Sequence, residues 1–369
     1  MNGYLGIIDD LLKGKCENLS TGDKITLPIN EIVIEENILN TNFQFAERLL
    51  NKKNILLSGK NSYDIFGDKV KRSLEKHNIN FDIKILVNYE TTREFASKLT
   101  DKLKEYENII SLGSGSIIDI SKFISSANDQ NLIVFCSSLS AAATTSTVSL
   151  FNNGIKESVN AKIPKAIVID LQNLKIAPPR LLRSALGDVL CRSTCQVDWL
   201  ASNLFLNTNY DETPFALQYS DEQHLIKNSK KIMLGDYETL ASLSRMTLLN
   251  GIAAIIIGTT HAGSMGEHLI SHYIDMFMGE SHPGTLHGEQ VGVATLLVSE
   301  IQNDIINNFK TLKFSPIQID KKNFEHLFSI DDMSFKMFEQ FKNKYFFGEK
   351  LENINDKLNK NWTNYRNIL

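Results

Sequence analysis

The first half of the chain alternates short β-branched runs with stretches whose apolar residues recur every three or four positions. Strands are predicted at residues 54–58, 81–87, 108–112, 132–135 and 166–170, with amphipathic helices at 62–77, 91–106 and 116–127. The first three strands begin at positions 54, 81 and 108, an even spacing of 27 residues. That spacing fits strand–helix units joined by right-handed crossovers, and hence a parallel sheet. No residues match across the units, so the period is structural. After Asp170 the rhythm changes. Pro178-Pro179 breaks the chain, and long helical patterns dominate from Leu181 onward. Residues 240–257 are apolar enough to be a buried helix, and the tail from Lys310 reads as further helices, clearest at 331–345. The pattern predicts an α/β domain with Rossmann-like nucleotide-binding topology over residues 1–171, then an all-α domain over residues 172–369.

Composition narrows the function classes. A length of 369 residues suits two domains, and 42% hydrophobic residues exclude disorder as the dominant state. Lys and Arg total 39 against 43 Asp and Glu, so no basic excess recruits nucleic acid. No uninterrupted apolar run reaches the ~18–20 residues of a membrane span, so no membrane insertion is expected. The segment from Met1 to Lys15 carries Asp9, Asp10 and Lys13 and lacks the layout of a signal peptide, which favours a cytoplasmic address. Four cysteines in so long a chain make no disulfide framework. Cys191 and Cys195, four apart in a helical pattern, read as packing residues.

Two segments carry chemistry. The strand at 108–112 runs into Gly113-Ser114-Gly115-Ser116-Ile117-Ile118-Asp119, then Ile120-Ser121-Lys122. Small residues between a strand and a helix let backbone N–H groups approach a phosphate. The turn departs from GxGxxG, because Ile118 stands at the third glycine, and a plain tight turn is the bland alternative. Further on, five of the eight histidines fall within 27 residues: His261, His268, His272, His282 and His287. His268 and His272 are four apart and share a helix face. Two such histidines with a carboxylate would make a catalytic metal site with an open position. Asp188, after Gly187, is the candidate acid, read as beginning an apolar helical stretch; electrostatic support of a helix start would place an acid there as well.

Taken together, the glycine turn, Gly187-Asp188 with Asp198-Trp199 beyond it, Gly266-Glu267-His268 with Ser271-His272, and His287-Gly288 with Val291-Gly292 resemble a known superfamily. It is that of the iron-containing alcohol dehydrogenases, glycerol dehydrogenases and dehydroquinate synthases, and within it the sn-glycerol-1-phosphate dehydrogenases. The likeness runs from about Glu31 to Ile301. It implies that Asp188, His268 and His287 bind a divalent metal, usually zinc and sometimes nickel or iron. It also implies that Asp188 and His272 serve catalysis, His272 by touching the substrate. Gly113, Gly115, Ser116, Ile117, Ile118 and Asp119 would hold the pyrophosphate of NAD or NADP. Ser137, Ser138, Leu139, Ser140 and Ser146 would border the nicotinamide. A dehydroquinate-synthase-like fold, a small-molecule substrate and a homodimer or larger homo-oligomer follow from the same likeness.

Two departures bear on substrate. Where the resembled family carries Asn-Asp-Gly, this chain has Ala141-Ala142-Ala143, so Ala142 replaces a substrate-binding Asp. His261 stands where the family has an Arg. Loss of a carboxylate that binds a hydroxyl would relax selection for that hydroxyl. The expected activity is hydride transfer between NAD(P)H and a small phosphorylated or polyol ketone, with dihydroxyacetone phosphate giving sn-glycerol 1-phosphate as the leading case. The alternatives are a dehydrogenase for another substrate, a cyclase like dehydroquinate synthase, and a degenerate binding relative. The cyclase reading lacks the extra lysines and Asp expected around residues 141–147; the degenerate reading is opposed by the retained metal ligands.

Overall fold

The computed structural model describes residues 3–38, 44–278 and 284–308. The predicted tail helix at 331–345 and His282 lie outside these residues. Six strands form one sheet: β1 (Glu31–Glu35), β2 (Asn54–Gly59), β3 (Phe81–Leu86), β4 (Asn108–Gly113), β5 (Asn131–Cys136) and β8 (Ala166–Asp170). The order is β1-β8-β5-β4-β2-β3, and every pairing is parallel. β2 and β4 are buried along their whole length, as expected of strands covered on both faces. Leu56, Ile110, Ile133 and Val168 from the strands pack with Phe66, Val70 and Leu74 of the helix Lys60–Lys76.

Each strand predicted from the pattern is present to within one residue at either end. Three were not predicted. β1 is only five residues long, and β6 (Thr147–Asn152) and β7 (Ile155–Asn160) form a separate antiparallel hairpin. The hairpin turns at Asn153-Gly154, both at positive φ (51° and 80°), the chemistry that two-residue hairpin loops demand.

Chain order along the sheet explains where a ligand belongs. From β2 the chain goes outward to β3, then returns to the other side of β2 as β4. The switch point therefore lies at the carboxyl ends of β2 and β4, which are Gly59 and Gly113.

The chain divides into two compact units. One comprises Met1–Leu182 with Leu217–Gly258; the other comprises Arg183–Ala216 with residues from Thr259 onward. Helical residues 217–258 thus belong with the sheet. Within that unit, Arg245 of the helix Tyr237–Ile257 forms a buried ion pair with Asp221 of the helix Thr213–Ile232. The helix Tyr237–Ile257 is long and apolar enough to cross a bilayer, yet most of it is buried inside the protein. Asp236 caps its start, accepting from Thr239 N–H at 3.0 Å, and Gly258 ends it at φ 72°.

Candidate metal centre and cofactor turn

Three helices of the second unit supply the charged cluster. Pro179–Leu190 carries Asp188, Gly266–Phe277 carries His268 and His272, and His287–Asn308 opens with His287. The sequence placed Asp188 at the beginning of a helix; the structure places it in the last turn. Proline is suited to a first helical turn, and Pro179 sets the start nine residues earlier. Support of a helix N-terminus therefore does not account for Asp188.

Glycines bring the helices together. A Cβ on Gly288 would lie 1.9 Å from Ser184 O, so the helix beginning at His287 rests directly on the backbone one turn before Asp188. Gly266 is similarly close to Asp198: an added Cβ would lie 2.9 Å from Asp198 Oδ2. Asp198 accepts from Gly266 N–H at 3.3 Å and from Gln302 Nε2 at 2.7 Å, and so ties the start of the His268 helix to the His287 helix.

One ligand atom from each of Asp188, His268 and His287 lies within 4.8 Å of the other two. Asp188 Oδ1 is 3.6 Å from His268 Nε2 and 3.7 Å from His287 Nε2. The far side of each ring fixes its orientation. His268 Nδ1 is 2.9 Å from Glu267 Oε1. Glu267 is fully buried, and it also accepts from Met265 N–H at 2.8 Å, Cys195 Sγ at 3.1 Å and Thr194 Oγ1 at 3.2 Å. An acceptor on that side puts the ring proton on Nδ1 and leaves the Nε2 lone pair facing Asp188.

His287 reaches the same state by a longer chain. Gln290 donates to Asp275 Oδ1 at 2.9 Å, so its carbonyl oxygen accepts the Ser271 hydroxyl at 2.7 Å. With its proton engaged there, Ser271 Oγ accepts from His287 Nδ1 at 3.0 Å. Two imidazole lone pairs and a carboxylate oxygen therefore converge on one point. Three acceptors so placed repel one another until a cation lies between them. The donor set of two nitrogens and one oxygen suits zinc, nickel or iron alike. Without a metal ion a proton takes its place: burial opposes a charge on His268, yet its hydrogen bonds with Asp188, Cys191 and Glu267 hold its pKa well above the usual imidazole value, and a bound metal ion would displace that proton from Nε2.

His272 sits one turn beyond His268, its ring stacked 6.5 Å from that of His287. His261 is not one of the converging ligands; its ring is edge-on to Trp199 at 5.7 Å. Cys191 and Cys195 are fully buried, and burial raises the Cys195 thiol well above its normal pKa before Cys191 and Glu267 add to the effect. Cys195 therefore packs, and also supports Glu267. Two contributors escaped the sequence reading, Glu267 and Ser271. Both stand inside the histidine motif, and a histidine ligand's need for a partner on its far nitrogen is the signal that points to them.

The glycine turn lies in the first unit. Gly113 admits no side chain, since a Cβ would lie 2.4 Å from Ile117 Cβ. The helix Gly115–Ala127 follows with no side-chain cap, so the N–H groups of Gly115, Ser116 and Ile117 stand at its open end. Ile117 and Ile118 bury their side chains in the core, so only their backbone can meet a cofactor. Ser137 N–H donates to Gly113 O at 2.8 Å, and Ser140 Oγ would lie 3.2 Å from a Cβ on Gly115, so residues 137–140 border the turn. Leu139 is buried there, Ser138 is buried beside it, and Ser146 leads into β6.

Asp119 and Lys122 are not open to a ligand. Lys122 is fully buried, and its Nζ donates to Ala142 O at 2.9 Å, Thr145 O at 2.6 Å, Thr145 Oγ1 at 3.0 Å and Thr147 O at 2.9 Å. Burial draws the Lys122 pKa down and the Asp119 pKa up, and each charge opposes the shift of the other. From another side the helix Tyr237–Ile257 grips the same segment. Thr144 Oγ1 donates to Leu248 O at 2.8 Å, and a Cβ on Gly251 would lie 2.2 Å from Thr144 Oγ1. The segment at Ala141–Ala143 is thus shaped by backbone contacts.

Comparison with known proteins supplies kinship. The profile described as "Iron-containing alcohol dehydrogenase" matches residues 33–178. A glycerol-1-phosphate dehydrogenase [NAD(P)+] of Methanosarcina mazei is 30% identical over 251 residues, 66% of this chain and 68% of the relative. That of Thermococcus sibiricus is 29% identical over 274 residues, 73% of this chain and 76% of the relative. Among solved structures, a glycerol dehydrogenase from Schizosaccharomyces pombe superposes with a TM-score of 0.62 at 18% identity, covering 87% of this chain and 93% of that one. Identity at that level speaks only to the fold, whereas the Methanosarcina relative is near enough in sequence to establish descent. The chain belongs to the iron-containing alcohol dehydrogenase family and is an NAD(P)-dependent dehydrogenase.

Proposed function

We propose that the chain reduces dihydroxyacetone phosphate to sn-glycerol 1-phosphate, taking hydride from NADH or NADPH. The observation that carries this reading is the convergence of Asp188, His268 and His287, in a chain whose relatives are named glycerol-1-phosphate dehydrogenases. A divalent metal held by these three would act as a Lewis acid on the substrate carbonyl and stabilise charge on its oxygen. Zinc is the expected ion, with nickel or iron suited to the same donors.

The chain's own residues do the rest. Glu267 and Ser271 hold the two imidazoles with Nε2 presented to the pocket. His272, one turn from His268, binds a substrate hydroxyl or phosphate, or relays the proton that ends on the product oxygen. The N–H groups of Gly115, Ser116 and Ile117 take the pyrophosphate of the cofactor. Hydride passes to the carbonyl carbon, and the protein supplies alignment.

Ala142 supports a second reading, a dehydrogenase for a different small ketone. Its methyl group accepts no hydrogen bond from a substrate hydroxyl, and its carbonyl is committed to Lys122. One experiment separates the two: oxidation of NADH and NADPH with dihydroxyacetone phosphate, before and after chelation and with zinc or nickel restored. Turnover that disappears with the metal and returns with it supports the first reading. Silence from protein that has bound both metal and cofactor rejects dihydroxyacetone phosphate and leaves the second.

A further inference from the structure

His268 stands between two sets of donors. Its Nε2 faces Asp188 and, with His287, belongs to the pocket of nitrogen and oxygen ligands. Its Nδ1 lies 2.9 Å from Glu267 Oε1. Cys191 completes a second trio with that carboxylate: one ligand atom from each of Cys191, Glu267 and His268 lies within 4.8 Å of the other two. Cys191 sits between the helices Pro179–Leu190 and Arg192–Leu206, three residues after Asp188, so one stretch of backbone serves both trios. Its thiol is held only by backbone carbonyls, Asp188 O at 2.9 Å and Gly263 O at 3.5 Å, and a thiol is a weak donor.

The two trios differ in the ion they suit. The second adds sulfur, which favours soft, thiophilic cations over hard ones. Bonds of about 2.0–2.3 Å to a tetrahedral ion set its donors roughly 3.3–3.8 Å apart, so closure by about an ångström at most would complete the site. Cys191 and Glu267 are fully buried, and His268 nearly so. A net charge there would be costly. A thiolate and a carboxylate offset the two charges of a divalent ion, and a neutral imidazole adds none. Loading trades two protons, one from Cys191 Sγ and one from His268 Nδ1, for one ion. A neutral imidazole has a single lone pair. Once Nδ1 spends it, the ring proton sits on Nε2 and points toward Asp188 Oδ1, 3.6 Å away. Nothing on His268 is then left for a metal in the first pocket.

We propose that Cys191, Glu267 and His268 Nδ1 form a second, sulfur-containing site for a thiophilic divalent cation, and that its occupancy excludes a metal from the Asp188, His268 and His287 pocket. The site stands on its own geometry. The exclusion rests on the metal centre of the proposed function.

Cadmium is the probe, because a thiolate bound to it gives an ultraviolet charge-transfer band that nitrogen and oxygen ligands do not. Added to the metal-stripped full chain, cadmium produces the band in the wild type and in C16S and C195S. The band is lost in C191S, whose hydroxyl still has a donor for Asp188 O, while circular dichroism is unchanged. H287A, one ligand short in the first pocket, keeps the band with undiminished cadmium affinity. For the exclusion, zinc-loaded protein is dialysed against rising cadmium and both metals are measured. Zinc leaves the wild type ion for ion as cadmium binds. C191S needs more cadmium to lose half its zinc, by at least the roughly tenfold that loss of a supporting residue costs a metal site. No band in the wild type, or a band that survives in C191S, overturns the site. A band lost in H287A puts cadmium in the first pocket and overturns it as well. Zinc retained beside thiolate-bound cadmium overturns the exclusion.

Discussion

The metal pocket and the segment at residues 137–147 are built on opposite principles. In the pocket, side chains carry the chemistry: three ligand atoms point at one place, and each imidazole is turned by a dedicated partner. In the segment, side chains are small and the shape is set by carbonyl groups held on Lys122 and by the close approach of Gly251. A pocket of the first kind loses its function when a ligand changes. A segment of the second kind keeps its path while the side chains it displays change. Under the proposed function, reaction type is set where the histidines are, and substrate choice at Ala141 to Ala143.

Ligand removal is the sharpest way to break this contrast. D188A, H268A or H287A should each lower metal affinity by more than the ~10–100-fold that follows loss of a supporting residue, and activity should fall with it. Metal content after dialysis and activity are read together, with circular dichroism unchanged. Full activity in metal-free H268A protein would refute the metal site.

Lys122 tests the other region. K122M removes the lysine's hydrogen bonds to Ala142 O, Thr145 O and Thr147 O, of which Thr147 O keeps the Thr145 hydroxyl, and takes away the largest positive charge acting on buried Asp119. A buried acceptor left without its donor costs about 1–3 kcal/mol, so the urea midpoint should fall well below that of wild type. D119N combined with K122M should recover part of the loss. Wild-type stability in K122M would mean that the segment is held by Gly251 and Thr144 alone.

A smaller effect is expected one shell out from the metal. E267Q keeps an acceptor for His268 Nδ1 but removes the charge, and should reduce zinc affinity by about 10-fold, at the low end for such partners. E267A should approach 100-fold. Chelator competition measures both without recourse to turnover. Equal affinity in all three proteins would show that the helices alone orient His268.

What the sequence revealed follows the range of each interaction. Strands β2, β4, β5 and β8 were legible because burial on both faces writes continuous apolar runs into the chain. β1 is short and bounded by glutamates, and the 147–160 hairpin announced itself only through Asn153-Gly154. Asp188 was found by the motif, yet its place in a helix was misread, because the start at Pro179 is set nine residues upstream. Glu267 and Ser271 lay inside a quoted motif and still escaped notice. Their partners come from other helices: Cys195 and Thr194 for the one, Gln290 and His287 for the other. Such relations depend on how glycines 266 and 288 let helices meet, which no local pattern records.

The mildest test bears on substrate choice. Ala142 is half-buried, and its carbonyl, not its side chain, is bound by Lys122. Its N–H is satisfied locally by Ser140 Oγ at 3.3 Å. An aspartate there alters none of these contacts and adds a carboxylate at the position where the resembled family has one. A hydrogen bond from a substrate hydroxyl to a charged acceptor contributes about 1.5–3 kcal/mol. A142D should therefore raise kcat/KM on glycerol-type substrates by roughly tenfold or more, with little change in stability. A gain confined to polyol substrates would show that the segment accepts new side chains without moving. If A142D instead abolishes activity on every ketone and improves none, the side chain at 142 is not what selects the substrate, and the contrast between a fixed pocket and a permissive segment fails at its most specific point.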